Sequence, residues 1–380
     1  MASLANKLAA SLPPGTFFSP ASVELALALV AAGGAGETLA ELQSVLCWPI
    51  GANWQQDLAQ LFAPLHAAAA SAEPVLAVAN RVYAKVAVNA QYASAVQSVF
   101  QEGIEQLASA EQINGFVSKA TRGMIQEIVA DKLVNDSVLI AVNAMYFKGR
   151  WAVEFDSSAT TVAPFYPASS LIGNYAPGMH SDCHMMRTPA GTEWKYHEDS
   201  TAQYILLPYR NAAGASSPLT ALVALPRNVH RGNALHEVDW RGVLTTLWQA
   251  RSRKGSFHMP RFSVDSAAEL SEVLRKLGLG RAFSDAADFP DVSAEPLWID
   301  KVVHKVRIEV DETGSPPTFS SFGCAMRGPP PFEMRCDRPF AFCVAALGPS
   351  PLLLFAGTIT EPGAVGPPPE STAAMGAAAA

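Results

Sequence analysis

Apolar residues recur at helical spacing over most of the first third of the chain and at strand spacing over most of the remainder. Leu4 to Leu12 is a short helical pattern, cut by Pro13-Pro14-Gly15, where two prolines remove backbone donors. Phe17-Phe18-Ser19-Pro20 leads into a strongly apolar helix from about Ala21 to Ala32, which Ser19 or Ser22 can cap and Gly33-Gly34 ends. Further helical patterns cover Glu37 to Leu46, Trp54 to Ala70, Tyr92 to Phe100 and Ala110 to Thr121, with a strand at Val75 to Val82 and a short strand or turn at Met124 to Val129. The run after Ser137, VLIAVNAMYF, has Asn143 as its one polar residue and predicts a central strand buried on both faces. Strand patterns follow at Thr201 to Leu207, Thr220 to Leu225, Ser256 to Phe262, Val302 to Val310, Phe340 to Ala346 and Leu352 to Ile359. Helical stretches at Leu235 to Arg251 and Ala267 to Leu277 interrupt them. Helices early and strands late predict an α+β fold with sizeable sheets rather than a βαβ repeat.

One stretch has no period at all. Between the strand ending at Val310 and the strand starting at Phe340 lie about 25 residues without helical or strand spacing, longer than a compact domain keeps unless the loop is functional or disordered. Tethered by strands at both ends, it is bait, lid or flexible spacer.

Composition narrows the partners. The chain has 380 residues, 49% of them hydrophobic, and a net charge of −7. That suffices for a large core. The charge and the lack of a Lys/Arg-rich run argue against nucleic acid and membrane surfaces as partners. The five cysteines, Cys47, Cys183, Cys324, Cys336 and Cys343, lack CxxC spacing and read as reduced buried thiols. MASLANKLAASLPPG carries Lys7 within its short apolar stretch and does not read as a signal peptide, and no segment is apolar enough to span a membrane. A cytoplasmic or nucleocytoplasmic protein is expected, with unconventional secretion left open. Gly363 to Ala380, rich in Gly, Pro and Ala, reads as a disordered tail (363–380) behind a single domain (1–362).

Catalytic and cofactor signatures are missing: there is no GxSxG, HExxH, DxDxDG or GxGxxG, and GGAGET at 33–38 lacks the Lys and Ser/Thr of a phosphate loop. Neither a cofactor nor enzymatic turnover is expected. HSDCH, His180 to His184, is the nearest thing to a metal-ligand cluster, but without a second cluster it reads as an isolated surface loop, and no metal is expected. His304, inside a strand pattern, is either a general base or a buried structural histidine; no nucleophile is placed beside it. Asn143 must find partners, because an unsatisfied buried amide costs roughly 1–3 kcal/mol.

Several separated segments agree on one family. FFSP with its apolar helix, ANRVYA at Ala79 to Ala84, INGFVSKATRGMIQEIV at Ile113 to Val129, VNAMYFKGRW at Val142 to Trp151, MPRF at Met259 to Phe262, VVHKVRIEVDETG at Val302 to Gly314, and DRPFAF with LLLFAGTITEP look like the serpins, in the correct order. The resemblance implies a single domain of three β-sheets surrounded by eight or nine helices, with an exposed reactive loop. It also implies a monomer whose partner is a target protease: the loop is cleaved as a substrate and inserts as a new strand before the acyl-enzyme hydrolyses. By resemblance, Ser19, Ser22, Asn143 and His304 match the polar cluster beneath the centre of the large sheet, and Trp151 the aromatic where insertion begins.

The loop's residues depart from that pattern at one end. Ser315, after the hinge residue Gly314, suits the first inserting position. Pro316 and Pro317 do not, because proline has no N–H to donate to a central strand, and Phe319, after Thr318, is bulky where the pattern is small. Loop length from Gly314 to Pro339 places the cleaved bond near Gly328, with Arg327 before it. Arg327-Gly328 is suitable bait for a trypsin-like protease, against the alternative of a solvated loop arginine, and Pro329 to Pro331 stiffen the far side. Two roles follow: a suicide-substrate inhibitor, or a non-inhibitory serpin acting as a binding, carrier or chaperone-like protein because the hinge is disrupted.

Overall fold

The early apolar periodicity folds as helices. A computed structural model describes residues 3–47, 53–100, 103–167, 180–227, 238–313, 330–348 and 351–363. The first third holds α1 (Leu4–Ser11), α2 (Pro20–Ala31), α3 (Gly36–Leu46), α4 (Trp54–Ala69), β1 (Val75–Ala84), α5 (Ala90–Phe100), β2 (Ile104–Gln106), α6 (Ala110–Ala120), α7 (Asp131–Asn135) and β3 (Leu139–Lys148). The remainder is mostly strand: β4 (Thr161–Phe165), β5 (Ser181–Arg187), β6 (Glu193–Glu198), β7 (Ala202–Arg210), β8 (Ser216–Pro226), then α8 (Trp240–Gln249), β9 (Ser252–Pro260), β10 (Phe262–Glu269), α9 (Ser271–Lys276), β11 (Lys301–Val310), β12 (Phe332–Arg335), β13 (Phe340–Ala346) and β14 (Leu352–Ile359).

One five-stranded sheet runs β10-β11-β3-β1-β2. The other strands form two sheets joined through β9, which pairs with β6 and then β5 along one side and with β12 on the other. Nine α-helices among the described residues surround them. None is long and apolar enough to cross a membrane.

β3 is buried at every position from Leu139 to Phe147, as its unbroken apolar run requires. Its faces go to different helices. Leu139, Ala141, Met145 and Phe147 join the main core beneath α2, whereas Ile140, Val142 and Ala144 join a second core under α6. α2 is buried over its whole length, with Ser19 as N-cap accepting from Ser22 N and Pro20 in the first turn, where its missing N–H costs nothing. Burial lifts the Glu24 carboxyl on this helix to about 7, with the Arg241 charge pulling the other way.

Four expectations need correction. Ala267 to Leu277 is not one helix: Phe262–Glu269 is a strand with antiparallel register to β11, and only Ser271–Lys276 is helical. Eight registered backbone pairs outweigh the helix propensity of its alanines and glutamate. Ser256 to Phe262 likewise divides at Arg261 between β9 and β10. His180 to His184 is no surface loop, since Ser181–Arg187 pairs with both β4 and β9 and buries Cys183. Cys47 is not a buried thiol, since it caps the C-terminus of α3 with left-handed backbone and is exposed. Met124 to Val129 takes the turn alternative: Met124 N–H donates to Thr121 O at 3.1 Å, and Asn114 Oδ1 accepts from Ile128 N and Val129 N.

Candidate functional site

Within the five-stranded sheet, β11 and β3 are parallel neighbours, registered from Lys301↔Ile140 to Glu309↔Lys148 with nothing between them. A row of polar side chains crosses this seam at mid-height. His304 on β11 lies opposite Asn143 on β3, and Asn143 opposite Asn80 on β1. All three are buried on the face toward the N-terminus of α2.

The start of α2 supplies their partners. Ser19 N–H donates to His304 Nε2 at 2.9 Å, which places the imidazole proton on Nδ1. Ser19 Oγ contacts Met145 Sδ at 2.7 Å. Ser22 Oγ lies 2.5 Å from Asn80 Oδ1 and 3.1 Å from Asn143 Oδ1, so one hydroxyl tethers both amides. Ser19, Ser22, Asn143 and His304 are thus brought together. Asn80 belongs with them although the sequence did not single it out; its signal was a lone buried amide inside the apolar strand VLAVANRV. Asn80 Nδ2, Asn143 Nδ2 and His304 Nδ1 have no hydrogen-bond partner among the described residues.

Burial lowers the His304 pKa from 6.5 to about 3. Protonating Nε2 would also break the bond from Ser19 N–H. Below pH 6.5 the unfolded chain takes up a proton that the folded chain refuses, so stability falls with acidity down to about pH 3, by about 1.4 kcal/mol per pH unit for a single group. His304→Gln is expected to flatten that acid limb between pH 6.5 and 4 in denaturation curves taken across pH. Parallel curves for parent and variant would show that His304 is not its source.

Trp151 sits elsewhere, at the C-terminal end of β11, roughly 20 Å along the strand from the polar row. Its Nε1–H donates to Asp311 O at 2.8 Å, and its backbone N–H donates to Thr313 O at 3.1 Å. The ring stacks on Tyr209 at 4.5 Å and meets Phe155 edge-on. Gly149 permits that stack, because a Cβ there would lie 2.5 Å from the Tyr209 ring. Beside it, Arg261 grips Glu312 with both arms, Nη2 to Oε1 at 2.6 Å and Nε to Oε2 at 3.0 Å, while Thr160 Oγ1 donates to Oε1 at 2.8 Å. Burial opposes ionisation of Glu312, but the bonds from Arg261 and Thr160 override it and hold the carboxyl below its ordinary value. Arg261, Thr160 and Tyr209 were not foreseen; they lie far from Glu312 in sequence.

Gly314, Ser315, Pro316, Pro317, Thr318, Phe319, Arg327 and Gly328 lie outside the described residues. The described chain resumes just before β12. There Phe332 stacks on Tyr196 at 3.8 Å, and Arg253 bonds both Pro330 O and Glu198.

Comparison with known proteins agrees with this architecture. The family model described as Serpin (serine protease inhibitor) matches residues 2–362. Serine protease inhibitor 42Dd of Drosophila melanogaster is 29% identical, covering 90% of each chain. Serpin-Z2B of Oryza sativa subsp. japonica is 30% identical over 91% of each, and leukocyte elastase inhibitor of Sus scrofa 27% identical over 93% of this chain and 94% of its own. Among solved structures, Arabidopsis AtSerpin1 in its native stressed conformation shares the fold with a TM-score of 0.80 at 23% identity, covering 94% of this chain and 95% of its own. Manduca sexta serpin-12 does so with 0.79 at 19%, covering 95% and 99%.

Proposed function

Because the chain belongs to the serpin family of serine protease inhibitors, we propose that it is a suicide-substrate inhibitor whose segment after β11 enters the seam between β11 and β3 once it is cleaved. The parallel contact of β11 with β3 carries this reading. A segment that turns back at the end of β11 and enters the seam runs antiparallel to both neighbours. It replaces one parallel ladder with two antiparallel ones, the more stable pairing per residue. About 15 inserted residues span about 50 Å at strand rise, enough to carry an attached enzyme across the molecule.

In this reading Arg327-Gly328 is the bait. The protease's serine attacks the Arg327 carbonyl, and insertion distorts the acyl-enzyme before water can release it. Ser19, Ser22, Asn80, Asn143 and His304 gate the middle of the seam. Trp151, with the Arg261–Glu312 pair, gates the end where insertion starts. The acting species is a monomer, residues 1–362 form the working domain, and the tail from 363 takes no part.

The sequence between Gly314 and Phe319 supports a second reading, a non-inhibitory serpin that binds or carries a partner, because Pro316 and Pro317 cannot complete the ladders. Incubation with trypsin-like proteases followed by a denaturing gel separates the two. A covalent complex that survives denaturation, and is lost in Arg327→Ala, is the expected result. Clean cleavage with no complex and no rise in melting temperature would sink the inhibitory reading for those enzymes.

A further inference from the structure

A row of cationic side chains crosses the sheet that β12 joins. Arg187 on β5 lies directly opposite His258 on β9, and Arg335 on β12 directly opposite His258 from the other side, so the three share one face. Arg187 is exposed, and His258 and Arg335 are half-buried. The Arg187 guanidinium has no hydrogen bond or ion pair among the described residues, and Arg335 has only a long contact with Asp337, at 3.9 Å. Glu333 lies next to this row on β12, and Lys254 extends it on β9. Burial, then the charges of Arg187 and Arg335, lower the His258 pKa, against the pull of Glu333. The field there is thus positive on a chain whose net charge is −7.

Neither the seam nor its gates use this row. We propose that Arg187, His258 and Arg335 form a docking site for carboxylates on an acidic segment of a protein partner. Adjacent strands lie about 4.8 Å apart, so the backbones that carry the two arginines stand roughly 10 Å apart across the histidine. Alternate carboxylates on an extended segment, about 7 Å apart, fall within reach of both. Each fork can hold one by paired hydrogen bonds. A long sulfated polymer is the poorer fit, since Glu333 and Asp337 bound the row at β12 and interrupt any extended cationic track.

The occupant follows from position. Arg335 is eight residues beyond Arg327, at most roughly 28 Å of extended chain. On the inhibitory reading, a protease bound at Arg327-Gly328 is held within that tether of the row. That choice of occupant rests on the inhibitory reading; the carboxylate site does not.

Hexaglutamate is a suitable probe, titrated into the full-length chain at moderate salt while the His258 side-chain resonances are followed by NMR. Binding is expected to raise the His258 pKa, and the double variant R187A/R335A to weaken affinity roughly tenfold or more, with unchanged circular dichroism. An unmoved His258, or affinity indifferent to both arginines, overturns the site. A heparin-derived hexasaccharide that binds more tightly than hexaglutamate with the same arginine dependence overturns the protein occupant. No loop cleavage enters the assay, so it can fail while covalent complexes still form, and the reverse.

Discussion

Exchanging Pro316 and Pro317 for alanine is expected to raise the melting temperature of the loop-cleaved protein by about 10 °C over the cleaved parent, and to shift the protease reaction from clean cleavage toward covalent complex. Successive N–H groups of a central strand point to opposite neighbours. Two consecutive prolines therefore deprive β3 of one bond and β11 of another, whatever the register. Each leaves a buried carbonyl unpaired, at roughly 1–3 kcal/mol. Two such losses amount to about 4 kcal/mol, and a domain of this size shifts by about 2–3 °C per kcal/mol. Insertion has to outrun deacylation, so the same deficit slows the trap. Single variants are expected to recover about half the effect each, because the bonds belong to different ladders. A double variant whose cleaved form melts with the cleaved parent would show that the hinge prolines never enter the seam.

Much of this was visible in the chain itself, for identifiable reasons. Phe340–Ala346 and Leu352–Ile359 keep their expected limits because each is a mainly apolar run that starts directly after a proline, Pro339 or Pro351. Asn143 and His304 stood out as polar residues within buried strands, and they do meet, at one registered pair. Asn80 escaped notice because Arg81 follows it and makes the strand look amphipathic. Arg81 instead lies over the Phe116 ring of α6, 3.7 Å from its centroid, on the opposite face from Asn80. The clamp at Glu312 was illegible for a different reason. Arg261 precedes it by 51 residues, and neither charge has a periodic signature that would mark the other as its partner. Short strands such as Ser181–Arg187 were hidden because their outward positions are polar and their pairing is supplied by distant segments.

That clamp yields the second large effect. Glu312→Ala is expected to destabilise the uncleaved protein by about 2–3 kcal/mol, since it strands a half-buried guanidinium and removes the Thr160 bond. The loss falls locally. Glu312 lies two residues beyond the end of β11, and with Trp151 it ties Asp311 to Thr313 down where the seam begins. Hydrogen exchange at β11 amides near Val310 is therefore expected to accelerate about 30-fold or more, one decade per 1.4 kcal/mol, while β13 and β14 exchange at parental rates. The sign with pH is fixed by the direction of the Glu312 shift. A carboxylate held below its ordinary value contributes stability above the unfolded pKa near 4.5, and that contribution disappears as pH falls through the lower, folded value. Parent and variant should accordingly differ at pH 7 and converge in strong acid. Glu312→Gln keeps the shape and one acceptor, and should fall between them. Uniform acceleration across all strands would mean that Glu312 supports the whole domain rather than the mouth of the seam, and unchanged exchange at β11 would remove it from the gate altogether.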